Sequence, residues 1–224
     1  MGEMIQWKRP DGKDCPGYLA LPAAGKAAPA FVMIQEWWGL NGQIKNAADR
    51  LADEGYRVLV PDLFRGKLAA DSAEAGHMMG SLNFPDATEQ DIRGAALHLK
   101  EHAPTKVAVG GFCMGGALTI LSALRIPEVD AGACFYGIPP KQAGDPAQIK
   151  IPMIFHFAEK DDWCTPSLVD DLESSLKAGG VKYELYRYDA QHAFTNENRP
   201  EVYDAACSKL AWERTLAFLK RTTA

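Results

Sequence analysis

The segment KVAVGGFCMGGALTILSAL (106–124) holds the side chain best placed to do chemistry. A β-branched run leads into Gly111-Phe112-Cys113-Met114-Gly115, and a helix start rich in small residues follows. This is the strand–turn–helix pattern that raises a nucleophile on a sharp elbow, here with cysteine in place of serine. Glycine suits positions 111 and 115 because backbone closes in on such a turn and a Cβ would collide with it. Cys113 would sit at a helix N-terminus, where the macrodipole favours an anion, so its thiol is expected to have a lowered pKa. The N–H of Met114 would point at the oxyanion formed when the sulfur attacks a carbonyl. A cysteine after a strand is ordinarily packing material. The elbow sets Cys113 apart from Cys15, Cys134, Cys164 and Cys207.

A thiol nucleophile needs a base, and the base needs an orienting acid. His192, in DAQHAF, follows the last β-type run at 181–188. Asp161 and Asp162, in FHFAEKDDWCTP, follow the run at 152–157. Both places are carboxyl ends of strands, where open parallel sheets bind ligands, and nucleophile, acid and base occur in the chain order that the elbow requires. Adjacent side chains point apart, so one aspartate alone can face the histidine. Asp161 is taken as that acid, with Asp162 the alternative. In AFVMIQEWWGLNGQI (30–44) another strand ends at Gln35-Glu36-Trp37-Trp38, which makes the Trp37 N–H the second oxyanion donor. A carboxylate beside a developing oxyanion would repel it, so Glu36 needs another role, such as accepting the Cys113 thiol proton. Trp37, Trp38, Phe64, Tyr136, Trp163 and Phe194 lie close to these loops and could wall a flat apolar pocket.

The elements that position these residues are legible as short β-branched or aromatic runs bounded by Gly, Pro or Asp, at 17–22, 30–35, 57–61, 106–112, 131–137, 152–157 and 181–188. From the third run onward, all but one of the gaps can hold a helix. Residues 44–55 carry Ile44, Ala47, Ala48 and Leu51 at helical spacing. A helix over 86–102 is expected to begin with an Asp86/Glu89 capping box and to present Ile92, Ala95, Ala96 and Leu99 on one face. A last helix is expected from about 200 to 220, and the weakly periodic stretch 62–85 reads as a short helix flanked by surface loops. Strands alternating with helices predict an α/β protein: a mostly parallel sheet of about seven or eight strands, covered on both faces, forming one domain over 1–224.

Composition narrows the partners. A 47% hydrophobic, 24% charged chain of 224 residues is globular, and a net charge of −5 supplies no basic stripe for nucleic acid. The first residues lack a signal-peptide pattern, no apolar run is long enough to span a membrane, and five widely spaced cysteines suit a reducing compartment. A cytoplasmic protein, with a monomer favoured, is expected. His98 and His102 stand four apart but have no third ligand in register, so no metal or other cofactor is expected.

Taken together, QEWWGLN, PDLFRGK, GGFCMGGAL, EKDDWCTP and DAQHAFTNENRPEVYDAACSKLAWERTLAFL resemble the dienelactone hydrolase (carboxymethylenebutenolidase) family of α/β-hydrolases over nearly the whole chain. The resemblance implies a Cys113–His192–Asp161 triad, a thiol-activating Glu36, and cyclic enol-lactones or related small esters as substrates. Members of the chlorocatechol pathway hold the substrate carboxylate with arginines, one of them four residues after the histidine. Asn196 stands at that position here. Arg65 and Arg199 are the nearby candidates for substrate binding, beside Trp38, Tyr136 and Phe194. Two rivals are a redox-sensing thiol protein, which lacks an evident resolving cysteine, and a hydrolase-fold binding protein, which would have no need of His192 and the acid.

Overall fold

The computed structural model describes residues 2–23, 28–103 and 105–223. Its strands are β1 (Glu3–Lys8), β2 (Asp14–Ala20), β3 (Ala30–Ile34), β4 (Arg57–Pro61), β5 (Val107–Phe112), β6 (Ala131–Phe135), β7 (Met153–Lys160) and β8 (Tyr183–Gln191). They form one sheet in the order β1-β2-β4-β3-β5-β6-β7-β8, antiparallel at the β1–β2 and β2–β4 pairs and parallel from β4 to β8. Every residue of β3, β4, β5 and β6 is buried, as expected for strands covered on both faces. Alternation decides which cover each side chain meets. Phe31 and Met33 face α1 (Gly42–Asp53) and α7 (Ala205–Thr223), packing with Ile44, Leu51, Trp212 and Phe218. Val32 and Ile34 face the other way, toward Ile92, Leu99 and Leu118.

The helices between β4 and β5 are α2 (Ser72–Ser81), the short α3 (Phe84–Asp86), a π-helical stretch Ala87–Ile92, and α4 (Arg93–His102). α5 (Met114–Arg125) follows β5, and α6 (Pro166–Ala178) follows β7. The β6–β7 connection carries two single-turn 3₁₀ segments and no α-helix, which makes it the exception among the connections that follow β4. Among the described residues no helix is long and apolar enough to cross a membrane.

Three details differ from the sequence reading. β1 is an additional edge strand, paired only with β2, whose short polar alternation gave no buried run to detect. The expected Asp86 capping box does not form. Asn83 caps the helix start by accepting from the Asp86 N–H at 3.1 Å, while the Asp86 carboxylate pairs with Arg9 at 3.0 Å and Glu89 with Arg125 at 3.1 Å. Asn83 wins because Pro85 sits in the first turn, where its missing N–H costs nothing. The last helix starts at Ala205, since the Asp204 side chain accepts from the Cys207 N–H at 2.8 Å and stops the helix from extending back toward 200.

Candidate active site

Neighbouring strand ends deliver the candidate residues to one edge of the sheet. Glu36 comes two residues after β3, Cys113 directly after β5, Tyr136 directly after β6, Asp161 directly after β7 and His192 directly after β8. β3 and β5 are neighbours whose onward connections run to opposite sides, so the site lies at the switch point of the sheet. Cys113 has φ 55° and ψ −114°, a strained conformation for a residue with a Cβ, and its N–H is pinned to the Phe135 carbonyl at 3.0 Å. The flanking glycines make this turn feasible. A Cβ on Gly111 would lie 2.7 Å from the Gly115 carbonyl oxygen, and one on Gly115 would lie 2.5 Å from that of Ile34.

The elbow brings the Cys113 sulfur to 3.1 Å from His192 Nε2. On the far side of the ring, His192 Nδ1 is 2.8 Å from Asp161 Oδ2. Asp161 Oδ1 accepts from the N–H groups of Trp163 and Cys164 at 2.8 and 2.9 Å, so both carboxylate oxygens are held and the acid cannot turn away from the imidazole. Asp161 is buried and Asp162 is exposed, and it is Asp161 that reaches the histidine. Glu36 is only 1% exposed: Oε1 accepts from the Tyr136 hydroxyl at 3.3 Å and Oε2 from Asn196 Nδ2 at 2.7 Å.

The electrostatics correct one expectation. Burial pushes the Cys113 thiol above its ordinary pKa and the nearby Glu36 charge adds to the rise, against the hydrogen bond from His192 and the Met114 N–H. The helix N-terminus is present, but desolvation outweighs it, so the resting group is a thiol. Burial alone would push His192 down. Its hydrogen bonds to Asp161 and Cys113 together overcome that and hold it up, at about 10. An imidazole whose proton is held in this way is a weaker acceptor for the thiol proton than a free histidine. Glu36, lifted by burial above the usual carboxylate range despite its hydrogen bonds from Asn196 and Tyr136, is a stronger base than an exposed glutamate.

A cavity of about 320 Å³ opens onto Cys113 and His192, with Glu36, Trp37, Trp38, Trp163 and Arg199 in its wall. Trp37 meets Trp38 and Trp163 edge to face at 5.4 and 5.6 Å, so three indoles make one aromatic side. Arg199 lies 5.9 Å over the Trp38 ring and donates to Glu201 at 2.8 Å. Ser72 and Met79 of α2 close the opposite side. Neither residue stands out in the sequence because 62–85 shows no strong periodicity, although the paired methionines in AGHMMG are a signal of an apolar surface there.

Four residues expected at the pocket lie elsewhere. Arg65 is drawn to buried Asp91 at 2.7 Å and to the Asp62 carbonyl at 2.6 Å. Phe194 is fully buried against Tyr136 and Tyr188, and Phe64 is buried in the core cluster on the Val32–Ile34 side of the sheet. Tyr136 is buried as well, with its hydroxyl directed to Glu36 and Thr195. Among the described residues no three His, Cys, Asp or Glu side chains gather as a metal-holding group.

The mostly parallel sheet and its strand–elbow–helix make this an α/β-hydrolase. Residues 15–223 match the dienelactone hydrolase family, and the chain belongs to it. It is 36% identical to Protein usf of Aquifex pyrophilus and 34% identical to a candidate carboxymethylenebutenolidase of Aquifex aeolicus, in each case covering 98% of both chains. The crystal structure of a candidate dienelactone hydrolase from Klebsiella pneumoniae shares the fold, with a TM-score of 0.85 at 24% identity over 97% of this chain and 98% of that one. Membership makes the protein a hydrolase of carboxylic ester or lactone bonds.

Proposed function

We propose that the protein hydrolyses small esters or lactones through an acyl-thioester on Cys113, with His192 and Asp161 completing the triad and Glu36 activating the thiol. The observation that carries this reading is the unbroken chain Sγ–Nε2 at 3.1 Å and Nδ1–Oδ2 at 2.8 Å. The Cys113 S–H bond breaks and its proton passes to Glu36. The thiolate attacks the carbonyl, and the N–H groups of Trp37 and Met114 hold the resulting oxyanion. Protonated His192 gives its proton to the departing alkoxide and becomes the neutral base that deprotonates water. Hydroxide releases the acid, and Glu36 returns its proton to sulfur, so the cycle closes without a net proton change in the enzyme. Enol-lactones and aryl esters suit the aromatic wall. A redox-sensing thiol would need a lowered pKa, and Cys113 is shifted the other way.

Alkylation by iodoacetamide provides the test. Loss of p-nitrophenyl acetate hydrolysis should track modification of Cys113 one for one, and a small ester should slow both. Full activity in protein alkylated stoichiometrically at Cys113 would end the proposal.

A further inference from the structure

We infer that Tyr136, Thr195 and Asn196 are positioning residues that form an uncharged hydrogen-bonded cradle, setting the protonation of Glu36 and through it the activation of Cys113. The inference rests on the proposed role of Glu36. Glu36 is buried and makes no ion pair among the described residues. Each of its oxygens instead meets one neutral donor: Tyr136 at 3.3 Å and Asn196 at 2.7 Å. The Tyr136 hydroxyl is itself fixed at 2.5 Å from Thr195 Oγ1, and its backbone is held at φ 38°, which aims the ring from the end of β6. Thr195 and Asn196 are 7% and 2% exposed, so neither hydrogen bond competes with bulk water.

The charged and titratable groups that face Glu36 come from three strand ends and one turn. They are Cys113 after β5, Tyr136 after β6, His192 after β8, and Arg199, which is engaged by Glu201. A cation bonded directly to Glu36 would keep it ionised but make it a poor proton acceptor. Burial with no donor at all would leave it neutral and unable to accept. Two neutral donors give the intermediate case, an ionised carboxylate that remains basic enough to take the proton from a thiol. Asn196 is the key choice, because an amide donates to the carboxylate without neutralising it.

The pH dependence of kcat/KM reads this directly, because it reports the free enzyme. Tyr136→Phe removes one donor to the ionised form, so the Glu36 pKa rises and the acid limb should move about one unit to higher pH, given the usual worth of a hydrogen bond to a charged group. Asn196→Asp adds a like charge and should move it further. Thr195→Ser keeps the hydroxyl and should keep the wild-type limb. In a Glu36→Gln background, Tyr136→Phe should move nothing more. A uniform fall in kcat/KM with the limb unmoved, or a shift that persists in Glu36→Gln, overturns the inference. Trapping of an acyl group on wild-type Cys113 is scored separately: its absence removes the underlying reading, whereas its presence beside an unmoved limb removes the cradle alone.

Discussion

Cys113→Ala should lower kcat for p-nitrophenyl acetate on the order of 10⁴-fold or more, with little change in KM or in melting temperature. The loss is large because the catalytic groups act as a unit: with the sulfur gone, Glu36 has no thiol to deprotonate and His192 no acyl-thioester to hydrolyse, and only binding and the oxyanion donors remain. KM should hold because the pocket wall is built mainly from Trp37, Trp38, Trp163 and α2. Stability should hold because removing the sulfur leaves the elbow glycines and the N–H bond to Phe135 in place. Steady-state kinetics alongside a thermal melt check both halves. A variant retaining more than a few per cent of kcat would mean that the sulfur is not the nucleophile.

Asp161→Asn should cost about 10⁴-fold in kcat, whereas Asp162→Asn should stay within a few-fold of wild type. An asparagine at 161 can still accept from the Trp163 and Cys164 N–H groups through its one oxygen, so the loop should keep its shape. Its NH₂ group then faces His192 Nδ1 and offers a second donor where an acceptor is needed. The imidazolium is then favoured to give up its Nδ1 proton and keep the one on Nε2, toward Cys113. Loss of the Asp161 charge also removes one of the two hydrogen bonds that hold the His192 pKa near 10. The imidazolium should therefore lose its proton at lower pH than in the wild type, and an NMR titration of the ring would show this. Asp162, exposed beside it, makes no comparable contact. Equal losses from both substitutions would contradict the geometry.

The separation between these aspartates shows where the sequence is informative and where it stops. Strand, elbow and helix at 106–124 were legible because the glycine spacing is dictated by backbone contacts local to the turn, and those contacts are present at Gly111 and Gly115. His192 was legible because it is the residue immediately after a strand. Asp161 and Asp162 could be told apart only in three dimensions, where one oxygen is captured by two backbone amides and the other is left for the histidine. The thiol's pKa is raised rather than lowered: the helix N-terminus is visible in sequence, while the desolvation that outweighs it is not. Arg65 and Phe194 differ from expectation for a related reason. Each lies near the site along the chain, but buried Asp91 and the Tyr136–Tyr188 aromatic cluster draw them elsewhere. Asn196 showed in sequence only as a residue standing where an arginine might be. Its bond to Glu36 gives it a place in the site.

The most direct test is acid quenching of the enzyme during turnover of a panel of aryl esters and lactones, followed by peptide mass spectrometry. The account predicts an acyl mass increment on the peptide containing Cys113, labile to hydroxylamine as a thioester is, and absent from Cys113→Ala. An acyl group found on any other residue, or rapid turnover with no adduct on Cys113 under conditions where deacylation limits the rate, would contradict it.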